Sequence, residues 1–292
     1  SNGHISTAGV TGATVAASNS LVGRKQDDGV GSNGVAALSN GHYVVSSSQW
    51  NSDAFARAGA VTWANGNGST VGEVLATNSL VGGKADAGVG SGGVTALANN
   101  HYVVSSTSGA AGFLRGAVTW GDGTQATSGV VSETNSLVGG GNMDTVGSGG
   151  ITALSNGDYV VRSDYWGAFT LGSDAGAVTW VNGGGPRTGV VSASNSLVAG
   201  ASGDKVGIGG IKELSNGHYV VISNGWSGNK GAVTWGNKDG STVGLVSASN
   251  SLVGSAAGDS VGFGGITKLT ANGNYVVSSH NWGGGKGAAT LV

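Results

Sequence analysis

The segment NSLVGSAAGDSVGFGGI, residues 250–266, has four relatives in the same chain. They begin at Asn19, Asn78, Asn135 and Asn195, so that with Asn250 the intervals are 59, 57, 60 and 55 residues. A fixed period in this range marks one supersecondary unit repeated, each copy burying its face against the next. The chain is therefore read as a single repeat domain, residues 1–292, of five units of about 57 residues starting near those asparagines.

Each unit reads as four short strands. In the fourth, residues 210–214 (GIKEL) form strand A, and Ser215, Asn216, Gly217 and His218 form a turn. Asn-Gly is a strong hairpin signal, because both residues tolerate positive φ. Residues 219–223 (YVVIS) form strand B, 231–235 (GAVTW) strand C, and 245–250 strand D. The other turns fall at 39–42, 98–101, 155–158 and 271–274. No stretch shows helical period or caps. Gly makes up 60 of 292 residues and charged residues only 10%, a balance that alone would indicate low complexity. The 38% of hydrophobic residues, gathered in short runs, points instead to packed strands.

The repeats start and stop out of phase. Residues 13–19 (ATVAASN) match a strand D with no A, B or C before it, and residues 287–292 (GAATLV) match a strand C without its D. Pairing the first strand with the last would satisfy both edges, and unpaired sheet edges are a hazard that closure removes. The expected fold is all-β: a five-bladed β-propeller of four-stranded antiparallel blades, its ring closed by the N-terminal strand pairing with the C-terminal blade. The alternative is a linear array of β repeats. Ser1, Asn2, Gly3 and His4 copy the hairpin tetrapeptide, which leaves room for further repeats.

The pattern VGFGGITKLTANGNYVVSS…GKGAATL and its four cousins resembles FG-GAP repeats, the blades of integrin α-type propellers. The resemblance implies a propeller. Phe263-Gly264 is the only literal FG, and Ser-Ser stands at the GAP positions. The family's Asp-rich calcium loop is replaced by Ser-Asn-Gly-His or similar, with at most Asp158 as a carboxylate, so calcium is not implied. The Gly-rich style is also similar to that of large bacterial surface proteins of the filamentous-haemagglutinin type.

In such a blade the B–C and D–A loops share one face. Trp50, Trp166, Trp226 and Trp282 stand at one offset in the B–C loops, and Gly109 takes that place in the second unit, with Phe113 nearby. The D–A loops supply Asp28, Asp144, Asp204 and Asp259, with Ala87 in the second unit. His280 and Asn281 flank Trp282. Aromatic faces beside carboxylates and amides suit sugars, the ring stacking on the C–H face while polar groups take hydroxyls. These ten residues are the expected ligand-binding set. The competing reading is that each Trp plugs its blade and each Asp caps a tight Gly turn. Trp63, Trp120, Trp180 and Trp235 end strands in phase with Val and read as core. His42, His101 and His218 read as exposed turn residues, too far apart for one metal site.

A net charge of −2 with no basic run gives no footprint for nucleic acid, and no apolar run reaches membrane-span length. There is no Cys, which excludes disulfides and thiol chemistry. No catalytic triad, paired glutamates or phosphate loop stands out, so an enzyme is not expected. Only the divergent second unit, with Phe113 and Arg115, invites a search for one. No cofactor or metal is expected. The expected function is a non-catalytic binding module of a bacterial surface or secreted protein, recognising glycans or cell-surface glycoproteins through the B–C and D–A loop face. The alternative is a structural spacer or self-assembling unit that contacts other copies of itself.

Overall fold

A computed structural model describes residues 14–109, 114–167, 171, 174–270 and 272–292. The tetrapeptide at Ser1–His4, Ala13, Phe113 and Ala271 lie outside the described residues. The first unit is preceded by β1 (Leu21–Val22) and runs β2 (Val35–Ala37), β3 (Tyr43–Ser47), β4 (Ala60–Ala64), β5 (Gly72–Glu73) and β6 (Leu80–Val81). The second holds β7 (Val94–Ala96), β8 (Tyr102–Ser106), β9 (Ala117–Gly121), β10 (Gly129–Val130) and β11 (Ser136–Val138). The third holds β12 (Gly150–Ala153), β13 (Tyr159–Ser163), β14 (Ala177–Val181), β15 (Gly189–Val190) and β16 (Leu197–Val198). The fourth holds β17 (Gly210–Glu213), β18 (Tyr219–Ser223), β19 (Ala232–Gly236), β20 (Gly244–Leu245) and β21 (Ser251–Val253). The last holds β22 (Ile266–Lys268), β23 (Tyr275–Ser279) and β24 (Ala288–Leu291). Two one-turn segments, α1 (Trp226–Asn229) and α2 (Trp282–Gly285), contain left-handed residues and act as turns.

The expected strand D divides into two. In the fourth unit β20 lies in the preceding sheet, where it runs parallel to β16 with Leu197 opposite Gly244 and Val198 opposite Leu245. Only β21, carrying the Ser-Leu-Val of the repeated motif, pairs with strand C of its own unit. The same exchange joins β10 to β6 and β15 to β11. Three sheets therefore have five strands, each completed by a strand of the next unit, instead of the four-stranded antiparallel blades expected.

The motif's own side chains build this corner. Asn195 Oδ1 accepts the backbone N–H of Ser192, and its Nδ2 donates to the Val190 carbonyl, clasping the bend that carries the chain from one sheet to the next. The same bracket recurs at Asn78, Asn135 and Asn250. The following Ser is bonded to the Thr of strand C, as in Ser196 Oγ with Thr179 Oγ1 at 2.7 Å. Leu197 and Val198 then enter the core. An unpaired buried Asn or Ser would be costly, and here the whole motif is satisfied.

The cores lie between adjacent sheets. Leu154, Val160 and Val178 of the third unit pack with Tyr219, Val221 and Val246 of the fourth, and Leu214, Val220 and Val233 of the fourth with Tyr275 and Val277 of the fifth. Strand B is covered on both faces, which is why it reads Tyr-Val-Val without polar alternation. Units also approach closely: a Cβ on Gly90 would lie 2.3 Å from Ser46 Oγ and 2.7 Å from Val61 Cγ2 of the preceding unit. Of the paired glycines that follow, Gly92 lies against strand B of its own unit, where a Cβ would stand 2.6 Å from Ser105 Oγ, and Gly93 takes a positive φ.

At the opposite end from the B–C loops, Ala37, Leu38 and Ser39, their counterparts in the second and third units, and Glu213 of the fourth line one cavity of about 620 Å³. Glu213 reaches across it to accept from the backbone N–H and hydroxyl of Ser155. The expected closing pair is not formed among the described residues: β1 takes β5 in parallel, and β24 pairs with β23 alone. The exchange occupies only one edge of such a strand: β16 uses its other edge for strand C of its own unit, β14, whereas among the described residues no strand C takes that edge of β1.

Candidate functional site

The B–C loop and the connection leading into strand A meet at one end of each sheet, joined by the repeated aspartates in every unit but the second, which has Ala87 in that place. Asp204 Oδ2 accepts from the backbone N–H groups of Gly200 and Ala201, and its Oδ1 accepts from Ser227, the residue after Trp226. Asp28 binds Arg24, Lys25 and, in backbone and side chain, Asn51 after Trp50. Asp144 binds Gly141 and Gly167 after Trp166, and Asp259 binds Ser255, Ala256 and Gly283 after Trp282. All four are buried. Each carboxylate thus staples two loops by accepting otherwise unpaired donors. For Asp28, burial pushes the carboxyl up, but these hydrogen bonds outweigh it and hold it below the ordinary carboxylate range. For Asp259, hydrogen bonds from Ala256 and Gly283 lead the same downward shift.

The tryptophans lie over the seam where a strand of one unit enters the preceding sheet. Trp50 is buried among Ala58, Ala60, Val74 and Val81. Trp166 packs beside Val191 and Val198, and its Nε1 donates to the Val191 carbonyl at 3.3 Å. Trp226 packs beside Val246. Trp282 has no such strand over it among the described residues and is 40% exposed. The contacts of these Trp and Asp residues are those of plug and cap. His280 is exposed and meets Phe263 edge-on at 5.3 Å, with half-buried Asn281 beside it.

The other face is closed by a second recurring joint. His42, His101 and His218 are half-buried, not exposed, and lie against Trp63, Trp120 and Trp235 at centroid distances of 4.9, 4.7 and 4.8 Å. Their Nδ1 atoms accept from the backbone N–H of Gly66, Gly123 and Lys238 in the turn after strand C. Asp158 does the same for Gly183. Trp63 and Trp120 donate from Nε1 to the carbonyls of Gly123 and Gly183 in the next unit. Among the described residues no group of three or more His, Asp or Glu could hold a metal ion, and no helix is long and apolar enough to cross a membrane.

What varies between units is the remainder of the B–C loop. In the first unit Lys25, Gln26, Gln49, Ser52, Phe55 and Arg57 are among the residues around an open cavity of about 610 Å³. Phe55 is 37% exposed. Arg57 donates to Asp86 of the next connection, and Arg24 lies 3.3 Å from both Asp53 and Glu73. A second cavity, between the third and fourth units, is lined by Asp164, Tyr165, Asp174, Lys205 and Ile208. Apart from Lys25 and Asn51, both bound by Asp28, none of the residues around these cavities belongs to the recurring joints. The sequence offered one signal for them: they occupy places where the units disagree.

A family model described as a repeat of unknown function, DUF5650, matches residues 4–32, 37–91, 96–148, 153–208, 213–263 and 269–292. These six segments together span most of the chain, the first and last being short. Comparison with curated proteins returns no match.

Proposed function

This chain belongs to the DUF5650 repeats, and from its loop geometry we propose that it is a non-catalytic binding module of a secreted or cell-surface protein, with glycans as its ligand class. The observation that carries the reading is the cavity of the first unit. It combines a half-exposed aromatic ring, Phe55, with amides and charges from Gln26, Gln49, Lys25 and Arg57. An apolar ring face among convergent polar groups is how a sugar's C–H face and hydroxyls are both met. The loops that carry these groups are stapled by Asp28, so little ordering would be needed on binding. Trp282, and in part Trp166 and Trp226, keep ring surface on the same face as further contact positions. The Gly-, Ser- and Asn-rich composition and the likeness to FG-GAP blades fit a surface protein.

The units are proposed to bend about a common axis in the manner of propeller blades. Convergence of equivalent positions from three units, and Glu213 of a fourth, on one cavity supports this. In a straight array such positions would be spread along a line.

A glycan array tests the function, with wild-type protein beside Phe55→Ala and Gln49→Ala. Binding to a defined glycan subset that falls in both variants is expected. Absence of any glycan signal would leave the second reading, a structural spacer or self-associating unit. That reading is favoured by the commitment of Trp50 and all four aspartates to joints between loops.

A further inference from the structure

The third unit departs from the others where its B–C loop meets the fourth unit. At the fourth place of strand B the units carry Ser46, Ser105, Arg162, Ile222 and Ser278. Two places on they carry Ser48, Thr107, Asp164, Asn224 and His280, and then Gln49, Ser108, Tyr165, Gly225 and Asn281. Opposite these, Lys205 and Ile208 stand where the first two units have Gly29 and Ser32, and Gly88 and Ser91. The fold is built without these residues in every other unit, so the fold does not account for them here.

Asp164, Tyr165, Lys205 and Ile208, together with Asp174, surround a cavity of about 230 Å³. Tyr165 is 51% and Ile208 40% exposed at it. Asp164 and Arg162 are held close, Oδ2 to Nη2 at 3.6 Å, yet Asp164 Oδ1 and Arg162 Nε are buried without a hydrogen-bond partner. Asp164 is crowded against Gly149, where a Cβ would lie 2.2 Å from Oδ1. Buried polar atoms are nearly always paired, and an exception beside a cavity marks a place where a ligand or a side-chain shift completes the set. Burial raises the Asp164 carboxyl, Arg162 offsets this in part and Asp174 adds to it, which suits a group that meets neutral hydroxyls.

We infer that this cavity is a second, separate site for one sugar ring, its hydroxyls donating to the Asp164 and Asp174 carboxylates and accepting from the Lys205 ammonium, its C–H face resting on Tyr165. This rests on the reading of the chain as a glycan-binding module and names a specific subsite for it. Of the lining charges, Lys205 stands against Asp164 and Asp174, and Arg162, outside the lining but 3.6 Å from Asp164, supplies the second cation, so with its support the site is balanced and a neutral polyol fits better than an ion.

The test uses the whole chain carrying Phe55→Ala, which removes the aromatic face of the first cavity, and a panel of neutral methyl glycosides followed by amide chemical shifts. Shifts at Tyr165, Lys205 and Ile208, weakened at least tenfold by Asp164→Asn or Lys205→Met in folded protein, are expected. If either variant fails to fold, the shift map of the Phe55→Ala protein alone decides. Glycoside binding in wild type that disappears in Phe55→Ala, or maps away from these residues, overturns the second site and leaves the module reading intact. No glycoside or array binding in either protein overturns both.

Discussion

Asp204 Oδ1 accepts the backbone N–H of Ser227 at 3.0 Å, while Oδ2 holds the two amides of Gly200 and Ala201. One carboxylate thus fixes the loop entering a unit to the loop that carries its Trp. Asp204→Asn would set an amide N–H against these donors and should cost about 1–3 kcal/mol, the usual penalty for a buried donor left unpaired. Urea denaturation measures it, and an unchanged midpoint would contradict the staple.

The pH dependence follows in sign. Asp28 and Asp259 have carboxyls held below the ordinary value, so their folded pKa lies below the unfolded one. Their contribution is complete above the unfolded value and is lost as pH falls through the folded value. Thermal melts should therefore drop progressively below about pH 4, and Asp28→Asn should flatten that slope. Parallel slopes for wild type and variant would count against it.

Gly123 lies under the preceding hairpin, where a Cβ would stand 1.7 Å from the Asn100 carbonyl oxygen. Gly123→Ala should destabilise by at least the about 1–3 kcal/mol typical of overpacking. Lys238 occupies the matching place in the fourth unit, and Trp180, whose ring lies against Gly240 of that turn, has a buried Nε1 without a partner, unlike Trp63 and Trp120. Lys238→Gly should raise the melting temperature. A fall would mean that the turn is built around the lysine.

Trp50 and Trp282 share one place in the repeat but not one environment, at 3% and 40% exposure. Trp50→Ala should cost about 3–5 kcal/mol, and Trp282→Ala much less. Equal losses in chemical denaturation would contradict the seam-plug role.

Much of this was legible in the sequence. Short apolar runs and polar hairpin turns place the A, B and C strands. The division of strand D was not legible, because Gly189-Val190 and Leu197-Val198 look alike as strands. Only the Asn195 bracket between them reveals a corner, and its bonds need coordinates to be seen. At the loop face Asp144 and Trp50 recur with the loop joints of four units, the second carrying Ala87 and Gly109 instead, whereas Phe55 and Asp164 stand where the units differ, so the repeat pattern does not point to them. His101 read as a surface residue because its turn is polar, although Trp120 of the neighbouring strand lies beneath its ring.

The strand exchange between units is the claim on which the rest stands, and the absence of native cysteine allows a clean test. Val198 and Leu245 are direct partners across the parallel pair of β16 and β20, which belong to successive units. In the double variant Val198→Cys/Leu245→Cys, mild oxidation should close an intramolecular disulfide, since paired strands bring Cα atoms within the range such a bond spans. Loss of both free thiols in monomeric protein is the predicted result. Two thiols that stay titratable after oxidation, in a folded monomer, would place Leu245 in its own unit's sheet and contradict the exchange.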